Sequence, residues 1–172
     1  VFHEFLIRGA NDRLLTYAFA NGLNIDVVES NSPLYPTLAG IFVDYSQAGL
    51  RSEYYQQYYP RLAYGVIRAP LELIAHVVKN ELPYTEILTA DYTLANRQLA
   101  EIYNSDVVFD SDDYRQFKVV RNRGQILINN QLDSEFIEGI GSVISSHGDF
   151  VEYQHAGILN EPAFLNRYPS TA

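Results

Sequence analysis

The stretch ELPYTEILTADYTLANRQLAEIY, residues 81–103, decides how the chain is read. Pro83 has no amide hydrogen and a fixed φ, which suits the first turn of a helix, and Glu86 places a carboxylate where it complements the helix dipole. A short helix through Ile87 and Leu88 follows. The run Thr89-Ala90-Asp91-Tyr92-Thr93 offers Asp91 or Thr93 as the N-cap of a second helix. Leu94, Gln98, Leu99, Ile102 and Tyr103 fall largely on one face of that helix. The spacing predicts helix, sharp turn, helix.

Upstream, Leu71, Leu73, Ile74, Val77 and Val78 form a wide apolar stripe that a helix must bury. Pro70 fits the first turn of that helix. Ala69 precedes it, which disfavours the α conformation and predicts a break or kink there. Pro60 opens the preceding helix, with Leu62, Ala63, Val66 and Ile67 inward, and a further helix is expected from about Leu50 to Tyr59. From Phe2 to Asn21, Phe2, Phe5, Leu6, Leu14, Leu15, Ala18 and Phe19 recur at helical intervals, and Gly22 marks the end. Leu23 to Val28 alternates as a short extended segment does, and Asn31-Ser32-Pro33 and Tyr35-Pro36 interrupt regular structure. Residues 37–43 fit a short helix or a buried loop equally well.

Downstream the character changes near Ser105. Asp106, Asp110, Asp112 and Asp113 form an acidic loop. Tyr114 to Val120 and Gln125 to Asn130 favour strands, and Arg121-Asn122-Arg123-Gly124 between them predicts a β-hairpin with Phe117, Val119, Ile126 and Ile128 on one face. Leu132 to Ser146 has helix-like spacing punctured by Gly139 and Gly141. Asp149 to Tyr153 reads as a short strand, and Ala163 to Tyr168 as a helical turn entered through Pro162. The fold class expected is mainly α, a helical module of about five to seven helices with a small β-hairpin in the second half. Residues 1–104 form the helical module and 105–172 a mixed segment packed on it as one domain.

The 172 residues suffice for a real core, and 47% hydrophobic with 19% charged residues excludes wholesale disorder. No apolar run approaches the roughly 18 residues that span a bilayer. A net charge of −9 opposes nonspecific binding to nucleic acid, and Lys118, Arg121 and Arg123 read as a solvated hairpin tip. Absence of cysteine excludes disulfides, thiolate metal sites, a catalytic Cys and covalent c-type haem attachment within this chain. Absence of methionine and a start at Val1 are what a processed chain or an excised fragment would show.

The unusual excess is aromatic: 14 Tyr and 9 Phe against no Trp. Tyr54, Tyr55, Tyr58 and Tyr59 crowd within six residues, and tyrosine's apolar body with a polar tip suits an interface as well as ordinary packing. Candidate chemistry is sparse. His155, Asp91 and His76 are the candidate catalytic groups. His76 stands four residues from Glu72, a spacing that serves a metal or a simple surface pair. His147, beside Gly148 and Asp149, reads as a solvated loop residue. Asp110, Asp112 and Asp113 supply oxygen ligands at close spacing but lack the order of an EF-hand, so solvation or capping is the plainer reading and no metal is assigned. Asp91 reads as a structural cap. No phosphate-binding glycine loop, nucleophile elbow or zinc-protease pattern is present.

Leu71-Glu72-Leu73-Ile74-Ala75-His76 followed by Pro83-Tyr84-Thr85-Glu86-Ile87-Leu88-Thr89-Ala90-Asp91-Tyr92-Thr93 resembles the uncharacterised domain family numbered 1592. His155-Ala156-Gly157-Ile158-Leu159, Pro162-Ala163-Phe164-Leu165 and Arg167-Tyr168-Pro169 resemble the start of its usual neighbour, numbered 1588. These families occur in large multidomain bacterial proteins, many exported and often carrying a c-type cytochrome domain, and no activity is established for them. The resemblance implies a periplasmic or cell-envelope location and a piece of a larger protein. No Cys-x-x-Cys-His is present, so any haem would belong to a missing domain or a partner, and no cofactor is expected in this chain itself. The expected function is a noncatalytic structural or accessory subunit of an envelope or electron-transfer assembly, with other protein subunits as partners. The alternative is a domain of an exported enzyme of unknown reaction, using His155 and nearby carboxylates.

Overall fold

The computed structural model describes residues 1–14, 16, 58–121, 125–137, 141–152 and 154–167, with most side chains of 125–152 outside the description. Among these residues the chain is mainly helical. Its elements are α1 (Phe2–Leu14), α2 (Tyr59–Lys79), α3 (Glu86–Thr89), β1 (Tyr92–Ala95), α4 (Arg97–Ile102), β2 (Lys118–Arg121), β3 (Gln125–Ile137), β4 (Gly141–Glu152), a 3-10 turn (Gly157–Asn160) and α5 (Pro162–Arg167). No helix among the described residues is long and apolar enough to cross a membrane.

Helix α2 is the axis. On one side Leu71 and Ala75 meet Ile7 of α1, with Leu6, Ala10 and Leu14 packed alongside. On the other side Leu73 and Val77 meet Leu94 of β1 and Ile158 of the 3-10 turn, flanked by Leu82, Ile87, Tyr92, Phe117 and Phe164. The apolar stripe of this helix is therefore buried against two different layers. In α1 the buried position is Ile7, while Phe2 and Phe5 are exposed. The face that meets α2 runs Ile7, Ala10, Leu14 rather than through the two phenylalanines.

The expected break at Ala69-Pro70 does not occur: α2 runs without interruption through Pro70. A proline inside a helix costs roughly 3 kcal/mol through its missing N–H and its clash with the preceding turn. Here Ile67, Ala69, Leu71 and Leu73 are all buried around it, and packing on both flanks outweighs the local penalty. Helix α2 ends at Asn80 with Glu81 at φ 54°. Glu81 N–H donates to Val78 O (3.3 Å) and Leu82 N–H to Val77 O (3.0 Å), the paired bonds of a Schellman ending.

The stretch 81–103 also differs from helix–turn–helix. Residues 92–95 form strand β1, antiparallel to β2 in the register Tyr92 to Arg121 and Thr93 to Val120. The second helix begins only after Asn96, which is its N-cap in place of Asp91 or Thr93. Asn96 Oδ1 accepts from Leu99 N–H (3.1 Å), and its Nδ2 donates to Arg61 O of α2 (2.8 Å) and to Tyr114 O (3.1 Å). This amide joins three parts of the chain.

The expected hairpin joining 114–120 to 125–130 is replaced by two separate pairings. β2 pairs back to β1, while β3 pairs with β4 from Gln125–Glu152 to Ile137–Gly141, with an irregularity between Ile128 and Gln131. Residues 132–137 and 141–146 are accordingly strand and not helix. Gly139 and Gly141 weaken the helical alternative, and the isoleucines and valines of both segments prefer an extended chain. Asp149 to Glu152 is strand and 162–167 is helix, as the sequence indicates. The expected elements over 17–57 lie outside the described residues.

Gly65 of α2 faces Asn96 so closely that an added Cβ would fall on its side-chain amide. Gly65→Ala is expected to destabilise by about 1–3 kcal/mol through overpacking. Gly9→Ala in α1, where a Cβ meets nothing within 4 Å, is expected to stabilise by roughly 0.5–1 kcal/mol. Urea unfolding midpoints of the two variants check this, and a shift of both in the same direction would refute the packing account.

Candidate functional site

Every fourth residue along α2 from Tyr64 is polar or aromatic: Tyr64, Arg68, Glu72, His76, Asn80. At 1.5 Å per residue this stripe extends about 24 Å along the helix. His3 and Glu4 of α1 border it on one side, and Leu94, Arg115 and Phe117 on the other, enclosing an open cleft of about 420 Å³ with Lys79 at its end. Sequence reasoning paired only Glu72 with His76. The fourfold spacing upstream to Tyr64 was the signal for the rest.

Arg68 organises the cleft's charges. Its Nε donates to Glu72 Oε1 (2.6 Å) and its Nη2 to Glu4 Oε1 (2.6 Å), and its guanidinium lies 5.7 Å from the Tyr64 ring centroid. His3 Nε2 lies 3.1 Å from Glu72 Oε2. Arg68 and Glu72 are both buried, so each needs the other: removing one partner of such a pair strands a charge. The hydrogen bond from Arg68 holds the Glu4 carboxyl below its ordinary pKa. Tyr64 stacks edge-on to Tyr114 (5.3 Å) and tilts against Phe117 (6.0 Å).

The candidate groups read from sequence cluster loosely about Tyr92. His155 Nε2 lies 3.3 Å from the Tyr92 carbonyl, and burial lowers its pKa against the pull of that carbonyl and of Asp91. His76 meets the Tyr92 ring edge-on at 5.9 Å. Its Nδ1 is 3.2 Å from Asn80 Nδ2, and its pKa is lowered by burial first and by Lys79 second. Asp91 is exposed and faces Arg121 at 3.7 Å. Of these three, only His76 lines the cleft. In the acidic loop Asp110 binds Lys118 (2.7 Å), Asp112 binds Arg61 (2.6 Å), and Asp113 accepts from Arg115 N–H (3.0 Å). No group of three His, Cys, Asp or Glu among the described residues is placed to hold a metal ion.

Tyr58 is buried, with its hydroxyl donating to Glu101 (3.4 Å). Tyr54 and Tyr55 lie outside the described residues, as does the side chain of Tyr59. The His147 side chain likewise lies outside the described residues, although its backbone, in β4, pairs with Gln131 of β3 rather than lying in a loop.

Two carboxylates that the sequence did not single out stand out in the structure, Glu161 buried and Glu101 half-buried. Glu161 is wholly inaccessible and accepts from the hydroxyls of Thr93 and Tyr103 (the latter at 3.2 Å). Burial pushes its pKa up to about 7 despite both donors. Burial likewise raises Glu101 to about 7, opposed by Arg97 and Tyr58. A glutamate between Asn160 and Pro162 reads as solvated surface until β1 and α4 are seen to close over it. Next to it Gly157, at φ 49°, donates to Ala90 O (2.9 Å) and touches the Ile87 carbonyl where a Cβ would go. The His155-Ala156-Gly157 run is thus shaped by docking on α3.

Because the folded chain binds these protons more tightly than the unfolded chain, the stabilisation is complete below about pH 4.5 and is lost as pH rises through about 7. At roughly 1.4 kcal/mol per tenfold change in proton affinity, Glu161 contributes on the order of 3 kcal/mol to that slope. Glu161→Gln, which keeps an acceptor without a charge, is expected to flatten the decline. Urea midpoints at pH 5 and pH 8 measure it, and an unchanged slope in the variant would exclude Glu161 as its source.

Residues 42–104 match the model of a family described as PSD4, a protein of unknown function (DUF1592), so this part of the chain resembles that family. The matched segment takes in α2, α3, β1 and α4, the core of the described structure. No curated protein and no solved structure matches the chain.

Proposed function

We propose that this chain is a noncatalytic structural or accessory module of a larger bacterial assembly. One observation carries the reading: each candidate catalytic group read from the sequence lies against a neighbour within the chain. His155 lies on the Tyr92 carbonyl, Asp91 faces Arg121, and His76 is bracketed by Asn80 and the Tyr92 ring. A general acid or base needs a free lone pair or proton aimed at a substrate, and these side chains point to their neighbours. Exposed apolar groups add support: Tyr84, Leu88 of α3 and Leu159 of the 3-10 turn packed against α3 are all open to solvent.

In this reading the assembly lies in the periplasm or cell envelope, a location implied by the resemblance of residues 42–104 to the family numbered 1592. In this reading it is a redox assembly, with haem carried by another domain or subunit. Of the four clustered tyrosines, Tyr54, Tyr55 and Tyr59 are assigned to the partner-facing region, whereas Tyr58 is buried within this chain with its hydroxyl on Glu101.

The test is purification of the tagged chain from its source under mild conditions, followed by native mass spectrometry and a haem absorbance check. The expected result is a hetero-oligomer with haem in a partner. An isolated monomer whose turnover of a substrate disappears in His155→Ala would replace this reading with the enzymatic one.

A further inference from the structure

The cleft along α2 plays no part in the accessory role, and its lining has a definite chemical character. We propose that it is a binding site for a small organic carboxylate with a flat, ring-shaped body. Charge is the first argument. The chain as a whole is acidic, at −9, yet Arg68, Lys79 and Arg115 line this cleft against Glu4 and Glu72. Both carboxylates are already satisfied by Arg68 at 2.6 Å, and Glu72 also by His3. Lys79 and Arg115 are exposed, Arg115 with its guanidinium 5.4 Å from the Tyr114 ring centroid, and the three cations exceed the two carboxylates by one charge.

The second argument is the wall. Tyr64 and Phe117, 6.0 Å apart and inclined at 50°, stand beside Leu94. An aromatic pair of this kind offers ring faces and edges to a planar guest at about 0.5–1.5 kcal/mol beyond area burial. The third is size: about 420 Å³ lies within the range of small-molecule clefts. A bare inorganic anion would leave the aromatic wall unused, and a cation would face Lys79 and Arg115. The far end of the cleft is closed by His76 and Asn80, whose side chains bond to each other.

Titration of the isotopically labelled 172-residue chain with benzoate, followed by NMR, tests this directly. Benzamidinium is the control of like shape and opposite charge, and inorganic phosphate is the anion without a body. Saturable benzoate shifts at Tyr64, His76 and Phe117 are expected, with benzamidinium and phosphate weaker. Arg115→Gln and Lys79→Gln each lower the affinity by about threefold to fivefold, the range of a partly exposed ion pair, and Arg115→Lys restores part of the loss. Failure of benzoate to saturate overturns the proposal, as does equal binding of benzamidinium or phosphate by the unaltered chain. Benzoate binding that both Gln variants leave unchanged overturns it too. None of these outcomes bears on copurification, so the accessory reading stands or falls separately.

Discussion

The fold depends on one buried carboxamide. Asn96 caps α4 through its oxygen and ties α2 and the Tyr114 segment together through its nitrogen. No other side chain of that size both accepts at a helix N-terminus and donates twice across the interior. Aspartate would keep the cap and lose both donations, and alanine would orphan three backbone groups at a site closed to water. The space for the amide exists because Gly65 of α2 has no side chain. Placement of Leu94 and of the Arg115 to Phe117 wall follows from this joint, so the cleft's shape is set by a contact outside its lining.

A second joint works on the opposite side of β1. Glu161 draws hydroxyls from Thr93 and Tyr103, and Gly157 bonds to the carbonyl of Ala90. Together they hold the 3-10 turn and α5 against α3, β1 and α4. The carboxylate makes this joint sensitive to pH because burial resists its ionisation more strongly than two hydroxyls assist it. Arg68 makes the corresponding joint between α1 and α2, but with a permanent charge and two carboxylate partners. The first is strongest in acid, whereas the second holds the pKa of the Glu4 carboxyl down.

Much of the architecture was legible. The stripe Leu71, Leu73, Val77 announced a buried helix, Pro60 marked the start of an expected preceding helix that proves continuous with it, and Pro162 opened the last helical turn. Errors arose where local preference met a long-range partner. Pro70 reads as a break because no local signal reports the packing on both of its flanks. Tyr92 to Ala95 reads as the first turn of a helix until β2 supplies the ladder that makes it a strand. The pairing of β3 with β4 was hidden for a related reason: isoleucine, valine and phenylalanine at mixed intervals satisfy either period.

The sequence by itself determined the mainly helical character seen among the described residues, a net negative charge, exclusion of cysteine chemistry, and a resemblance carried by residues 71–93. These follow from composition and from periodicities a few residues long. Only the tertiary structure decided that Asn96 is the cap, that Glu161 is buried, and that Tyr64, Arg68, Glu72, His76 and Asn80 line one cleft with His3 and Arg115. Each of those facts is a contact between residues far apart in the chain. Burial and hydrogen bonding at such contacts are properties of the neighbours that close over a group, and a residue's own identity does not name its neighbours.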